Sequence, residues 1–243
     1  NESNTPSSIE ESLNHPQLPH PDQTIPLSTK RIVSSIPRAD ELRPDGTSAP
    51  HQPKPSNPTQ GNSTKNEEKK WVYPSEQQFY NAMKRKGWKA DATTMNTVVR
   101  IHNAVNERGW SQIQTWEREL HNVSNPRLVR FLGRPNDTSP KAMLNIMRGK
   151  RAPFDRHDWF VDRGDGVERR YVIDFYDGAI EGDSAGGFEG GKAPVNMYLD
   201  VRPALDDVGA LVDRMEMAVR EMLPGIFAVN SKGNGSNRRD QDS

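Results

Sequence analysis

Cysteine is absent from all 243 residues of the chain. Its absence excludes disulfide bonds, zinc–thiolate sites and cysteine nucleophiles built from this chain's own side chains. An excess of charge is also lacking, because 33 basic residues are balanced by 33 acidic ones. A formal net charge of zero gives no electrostatic reason to expect nucleic acid or an acidic membrane surface as a partner.

Long apolar runs are lacking as well. No stretch approaches the roughly 18 residues of a membrane-spanning helix, and none has the pattern of a secretory signal. The sequence therefore predicts a protein that is soluble or peripheral to a membrane. Phosphate-binding loops, dinucleotide fingerprints, H-E-x-x-H and G-x-S-x-G motifs are also missing, so no familiar motif assigns a reaction.

Apolar residues make up only 32% of the chain, which predicts that part of it is disordered. Eleven of the 19 prolines lie among the first 58 residues, mixed with Ser, Asn, Gln and charged residues. Residues 1–69 are therefore predicted to form a disordered tail, 70–228 the folded domain, and 229–243 a second disordered tail. One apolar patch at 27–38 either docks onto the folded domain or is a chance island in the tail.

Periodicity in the folded part favours an α+β fold, with helices around a small antiparallel sheet. Helices are predicted at 75–86, 94–121 and 139–147 and after Pro203, and strands at 126–133, 157–163, 170–176 and 195–201. The second and third of these strands flank a Gly-Asp-Gly turn and are expected to form a hairpin. Gly109 leaves open whether 94–121 is one helix or two, at 94–108 and 110–121.

The last two helices carry apolar residues at helical spacing. The apolar face of the third helix is at Met143, Leu144 and Met147, and that of the fourth is at Val208, Leu211, Val212, Met215, Val219 and Met222.

One histidine shares the apolar face of the second helix. His102 follows Val98 by four residues and precedes Val105 by three, so the three side chains lie on the same side of the helix. An imidazole there is either a metal ligand or a hydrogen-bonded core histidine. Spacing alone favours the core histidine, because a single His does not define a metal site.

Two other features have a structural and a functional interpretation. Trp110 and Trp116 follow His102 on the same helix and suit either a large flat ligand or ordinary core packing. His157 stands among carboxylates in PFDRHDW, where it is either a general base or part of a strand-entry turn with internal salt links. The salt-linked turn is the favoured interpretation of His157.

Several long motifs occur together in a fixed order. They are LSTKRIVSSIPR at 27–38, WVYPSEQQFYNAM at 71–83, IHN at 101–103, PFDRHDW at 153–159, RYVIDFYDG at 170–178 and LDVRPALD at 199–206. This series closely resembles the mitochondrial cytochrome c haem lyases, or holocytochrome c synthases, over residues 27–217. The resemblance implies that 70–228 is a haem lyase domain.

The resemblance implies an enzyme, a lyase that binds haem b and attaches it through thioether bonds to the Cys-x-x-Cys-His motif of apocytochrome c or c1. It also implies a place in the mitochondrial intermembrane space, peripheral on the inner membrane. A haem-binding carrier for the apocytochrome that forms no bonds itself is the alternative function.

Site residues follow from the same resemblance. The histidine of the I-H-N motif, here His102, is implied to be the catalytic residue and the axial ligand of the haem iron. Asn103 and Glu107 belong to the same motif, and Trp110 and Trp116 are implied to surround the haem ring. The resemblance leaves open whether Glu107 bonds the imidazole, holds the helix or meets the apocytochrome. An arginine of the family matches Arg163, which either pairs with a haem propionate or forms a structural ion pair.

One departure from the family concerns cysteine. Members usually carry Cys-Pro dipeptides near the N-terminus that are associated with haem handling, and this sequence, which starts at Asn1, has none. Either those dipeptides precede Asn1 or this member lacks them.

Overall fold

A computed structural model describes residues 17–39, 69–178 and 197–223. Within these ranges it confirms the α+β class, with four helices and two antiparallel sheets. The strands are β1 (Val33–Pro37), β2 (Lys70–Val72), β3 (Arg127–Gly133), β4 (Asp155–Asp162), β5 (Glu168–Asp177) and β6 (Met197–Pro203). The helices are α1 (Glu76–Arg85), α2 (Met95–His121), α3 (Pro140–Met147) and α4 (Val208–Met222).

The predicted tails lie outside the described residues at 1–16, 40–68 and 229–243. Among the helices that the structure describes, none is both long enough and apolar enough to cross a membrane.

The larger sheet is a meander in the order β3-β4-β5-β6, in which every neighbouring pair is antiparallel. The predicted hairpin of β4 and β5 is confirmed. Its turn has positive φ at Gly164 and Gly166, a conformation that favours glycine. The carboxylate of Asp162 accepts hydrogen bonds from both of these backbone N–H groups, at 2.7 and 3.0 Å.

Helix α2 crosses one face of this sheet and forms the main core. Trp110 and Ile113 are buried there together with Val161, Tyr171 and Ile173 of the hairpin. The helix runs through Gly109 without interruption, so the alternative of two helices is wrong. Gly109 is buried where α2 contacts the sheet, and a methyl group at this position would lie 3.5 Å from Ile173 Cδ1.

Helix α1, predicted at 75–86, is capped at its start by Ser75. Ser75 Oγ accepts from the backbone N–H of Gln78 at 3.2 Å, and Gln78 Oε1 accepts from the Ser75 N–H at 3.1 Å. This reciprocal pair satisfies two donors that a helix leaves open at its start. It fixes the direction of α1, which places Phe79 toward α2.

Residues 17–39 pack onto the body of the protein. β1 pairs with β2, and Ile36 is buried in the main core, whereas Ile32 and Val33 of the same apolar patch are exposed. Upstream of β1, the Asn81 amide donates to the Leu18 carbonyl at 2.9 Å. Composition alone did not indicate these contacts, because backbone pairing and amide hydrogen bonds leave no apolar period.

The apolar faces of α3 and α4 are exposed rather than packed on the core. All nine apolar residues named for the two helices are exposed, and the buried residues are Ala142 in α3 and Ala210 in α4. The sheet face opposite α2 carries charged side chains instead. Arg202 donates to Asp174 and to Ser139, the N-cap of α3, at 2.5 and 2.7 Å. A hydrogen bond to the buried Arg202–Asp174 ion pair thus attaches the start of α3, where an apolar face could have done so.

Candidate functional site

His102 lies where three parts of the chain meet. It is partly buried near the start of α2. Its ring is edge-on to Phe79 of α1, with centroids 5.0 Å apart, and to Tyr73 between β2 and α1, at 6.0 Å. The imidazole is therefore enclosed by aromatic groups from elements other than its own helix.

Asn103 fixes the proton of this imidazole. The Oδ1 of the buried Asn103 lies 3.1 Å from His102 Nδ1. A carbonyl oxygen can only accept, so the proton belongs on Nδ1 and the lone pair of Nε2 is left for another partner. Burial lowers the pKa of His102, and His157 lowers it further, while the bond to Asn103 opposes the shift. The neutral imidazole that results is the form that binds metals.

Glu107 holds α2 to the N-terminal part of the chain. Its carboxylate accepts from the Ser35 N–H at 2.9 Å, from the Ser35 hydroxyl, and from the Tyr73 hydroxyl at 3.0 Å. Burial raises the pKa of Tyr73, and the Glu107 charge and hydrogen bond add to the rise. Both carboxylate oxygens of Glu107 are engaged in this way. Of the three roles left open for Glu107, the contacts are those of a residue that holds the helix.

The two tryptophans are not brought to His102. Trp110 is 1% exposed in the core under the sheet, and Trp116 donates from Nε1 to the Val201 carbonyl at 2.9 Å. Along the helix axis they lie about 12 and 21 Å beyond His102, at about 1.5 Å per residue. Both pack between α2 and the sheet. The apolar stripe that they share with His102 continues along α2 past the site.

Arg163 forms an ion pair at the other end of α2. Its Nε lies 2.5 Å from the carboxylate of Glu117, which has no exposed surface, and the Tyr171 hydroxyl donates to the same carboxylate at 2.7 Å. Glu117 is about 22 Å along the axis from His102. Of the two interpretations of Arg163, the structure shows the structural ion pair.

His157 is salt-linked, as the sequence predicted. Its Nε2 lies 3.1 Å from the Asp155 carboxylate, and its ring is edge-on to Phe175 with centroids 5.0 Å apart. His157 lies close enough to His102 to lower the pKa of that imidazole.

Sequence reasoning missed Phe79 and Tyr73 as members of the site. Phe79 has the helical spacing of an ordinary core residue, and Tyr73 precedes a helix start. Both stand in the WVYPSEQQFYNAM segment, which was the available signal. No group of three or more His, Cys, Asp or Glu residues suited to a metal ion occurs within 17–39, 69–178 and 197–223. A lone imidazole fits a metal that arrives with its other ligands, as the iron of haem does.

A sequence model of the family described as cytochrome c/c1 heme lyase matches residues 45–218. The chain belongs to this family, which confirms the resemblance noted from the motifs. It is 42% identical over 210 residues to the holocytochrome c-type synthase of Bos taurus, and 39% identical over 216 residues to a putative holocytochrome-c1 synthase of Schizosaccharomyces pombe.

These matches differ in how much of each relative they cover. The Bos taurus match covers 83% of this chain and 63% of the relative, and the Schizosaccharomyces pombe match covers 88% and 82%. The chain therefore spans less than two thirds of the Bos taurus protein. No solved structure matches the fold.

Proposed function

We propose that the chain is a holocytochrome c synthase, a lyase in which His102 is the axial ligand of a haem substrate that is joined to apocytochrome c or c1. The observation that carries the proposal is the neutral, aromatic-enclosed imidazole whose Nδ1 is committed to Asn103. Membership of the cytochrome c/c1 heme lyase family supports the choice of haem as the ligand.

Each residue of the site then has a distinct task. His102 offers Nε2 to the iron, and Asn103 keeps the ring in the tautomer that makes this lone pair available. Phe79 and Tyr73 supply aromatic walls that suit a flat apolar macrocycle. Glu107 positions Tyr73 and β1 against α2. Trp110, Trp116 and Arg163 are outside this group and serve the core.

The bond-forming step needs little from the chain beyond positioning. Each apocytochrome thiol adds across a haem vinyl group, so that a carbon–sulfur bond forms and the thiol hydrogen ends on the other vinyl carbon, with no net oxidation. The chain supplies no cysteine of its own. Holding haem and the two thiols in register is a large contribution by itself, because orientation removes much of the entropic barrier.

The proposal extends to substrate and place. Relatives named as cytochrome c-type and as cytochrome c1 synthases match at 42% and 39% identity, so both apocytochromes are candidate substrates. The proposed location is the intermembrane space of mitochondria, in peripheral contact with the inner membrane. The haem is proposed to be haem b, the form that carries two free vinyl groups.

The proposal is tested by the variant His102→Ala, with His157→Ala as a matched control that removes a neighbouring imidazole. Co-expressed with haem supply and apocytochrome, His102→Ala should purify without the low-spin haem spectrum and should yield little thioether-linked product. His157→Ala should retain both. A His102→Ala protein that still carried low-spin haem and matured cytochrome would overturn the proposal.

The same experiment separates the enzyme from the carrier. Haem joined by thioether bonds stays with the cytochrome through acid–acetone extraction, whereas haem that is only ligated is removed. Extraction-resistant haem that depends on His102 supports the lyase. Haem that binds the protein normally and is always extracted from the cytochrome supports the carrier.

A further inference from the structure

Helix α4 is amphipathic, but its apolar side faces solvent. The outer stripe, defined here as Val208, Leu211, Val212, Met215, Val219 and Met222, is 45% to 79% exposed at every position. The spacing of these residues places them along one side of the helix. Contiguous exposed apolar surface of this kind usually marks an interaction site on a soluble domain.

The inner side of α4 is attached by polar contacts. Asp213 pairs with His121 at the end of α2 at 2.9 Å, and Arg214 donates from Nε to the Pro203 carbonyl at 2.8 Å. Arg220 donates to the Glu119 carbonyl at 2.5 Å. These contacts hold the helix against β6 and α2, so the outer stripe is not needed to keep α4 in place.

The exposed charged residues of the α4 segment itself have one sign. Within 205–223 they are all acidic: Asp206, which pairs with Arg170 of β5, Asp207 and Glu221. The basic side chains of the same segment are engaged, Arg214 with the Pro203 carbonyl and Arg220 with the Glu119 carbonyl and the Glu216 carboxylate. An apolar stripe with a carboxylate at each end favours a partner with an apolar face and basic ends.

We propose that the outer stripe of α4 binds a basic amphipathic helix of a protein partner. Leu, Met or Val-type side chains of the partner would lie on the stripe, and Lys or Arg at its two ends would pair with Asp207 and Glu221. The stripe is about 21 Å long at about 1.5 Å per residue, the length of a four-turn helix. The proposal goes beyond the proposed haem lyase activity and does not rest on the His102 site.

Charge also decides against two other occupants. An anionic lipid surface would meet the acidic ends of the stripe with repulsion. A second copy of the chain would place acid against acid in either direction, with Glu221 against Glu221 in a parallel pair and Glu221 against Asp207 in an antiparallel pair.

The chain's own remaining segments do not have the required pattern either. A partner for the stripe needs about four turns of helix with apolar residues every three or four positions. The sequences of the segments outside the described residues contain no such stretch, and these segments are 1–16, 40–68, 179–196 and 224–243. None of these four segments is therefore the expected occupant of the stripe.

The test uses the full chain and a fluorescent designed helix of about four turns with a Leu face and a Lys face. Binding is followed by anisotropy, beside a second peptide that keeps the Leu face and carries Glu in place of Lys. The Lys peptide should bind, and its affinity should fall as salt is raised. The Glu peptide should bind at least about tenfold more weakly, because like charges meet.

Two double variants provide a matched comparison on the protein side. Met215→Lys/Met222→Lys alters the stripe, and Met143→Lys/Met147→Lys alters α3 at two methionines of similar exposure. The first variant should lower the affinity for the Lys peptide at least about tenfold, and the second should leave this affinity unchanged. Circular dichroism checks that both variants keep the fold.

Several outcomes would overturn the proposal. Equal binding of the Glu and Lys peptides would show that the stripe binds apolar peptides whatever their charge. Binding to vesicles of anionic lipid that is lost in Met215→Lys/Met222→Lys would assign the stripe to a membrane. A dimer in analytical ultracentrifugation that the same variant abolishes would assign it to a second copy.

Discussion

The two halves of α2 use polar residues in opposite ways. Near its start, His102 has one nitrogen committed to Asn103 and is otherwise bordered by aromatic rings. Near its end, Glu117 is fully enclosed and bonded to Arg163 and Tyr171. Among the described residues, the first group leaves His102 Nε2 without a hydrogen bond. The second group has its charge balanced within the fold. Along this helix, the candidate site differs from the structural ion pair in having one side-chain nitrogen without a hydrogen-bond partner in the part of the chain that the structure describes.

The sharpest way to break this comparison is to remove the ion pair at the C-terminal half. Arg163→Ala leaves the Glu117 carboxylate buried without its cation, and it should lower the free energy of unfolding by about 3–5 kcal/mol. Denaturant unfolding of Arg163→Ala beside the parent chain measures the loss. Haem retained per folded molecule should stay unchanged. Loss of haem with normal stability would mean that Arg163 meets a propionate after all.

A smaller loss of stability is expected when the contact of Glu107 with β1 and Tyr73 is weakened. Glu107→Gln keeps the shape but removes the charge from bonds to the Ser35 N–H and the Tyr73 hydroxyl. The expected loss of stability is about 1.5–3 kcal/mol, the range for hydrogen bonds to charged groups.

Hydrogen exchange locates the effect of Glu107→Gln. The amides of β1 should exchange faster, while those of the β4–β5 hairpin stay protected. Tyr73→Phe, which removes one of the same bonds, serves as the partial control. Unchanged exchange in β1 would contradict the assigned role of Glu107.

The smallest effect concerns the middle of α2, where the two halves join. Gly109→Ala adds a methyl group that would lie at ordinary contact distance, 3.5 Å from Ile173 and 3.6 Å from Leu199. The helix should gain up to about 1 kcal/mol in propensity. A rise in the thermal midpoint with unchanged haem binding is expected. Destabilisation would show that the helix needs the closer approach that glycine allows.

Local signals predicted much of this fold. The apolar period of α2 and the Gly-Asp-Gly turn of the hairpin each depend on neighbouring residues, and each was confirmed. The outward faces of α3 and α4 were not predicted. A period shows that a helix has two sides, but which side meets the body depends on partners distant in sequence, such as Arg202 for α3.

The candidate site also has one part that sequence motifs predicted and another that depends on residues distant in sequence. His102 and Asn103 are adjacent in sequence, and the I-H-N motif is the basis for predicting them as site residues. The enclosure by Phe79 and Tyr73 depends on how α1 returns against α2, which spacing within α2 does not reveal. The resemblance placed the tryptophans around the haem ring and left Arg163 open between a propionate and a structural ion pair. The contacts of Trp116 with the Val201 carbonyl and of Arg163 with Glu117 became visible only in the fold.

The contact between Ser35 and Glu107 also bears on how the chain assembles. It joins positions 72 residues apart, so the surroundings of His102 are complete only after a long loop has closed. Closure entropy grows slowly with loop length, by about 0.6 kcal/mol for each doubling. The stretch between β1 and β2 is thus a place where insertions cost little.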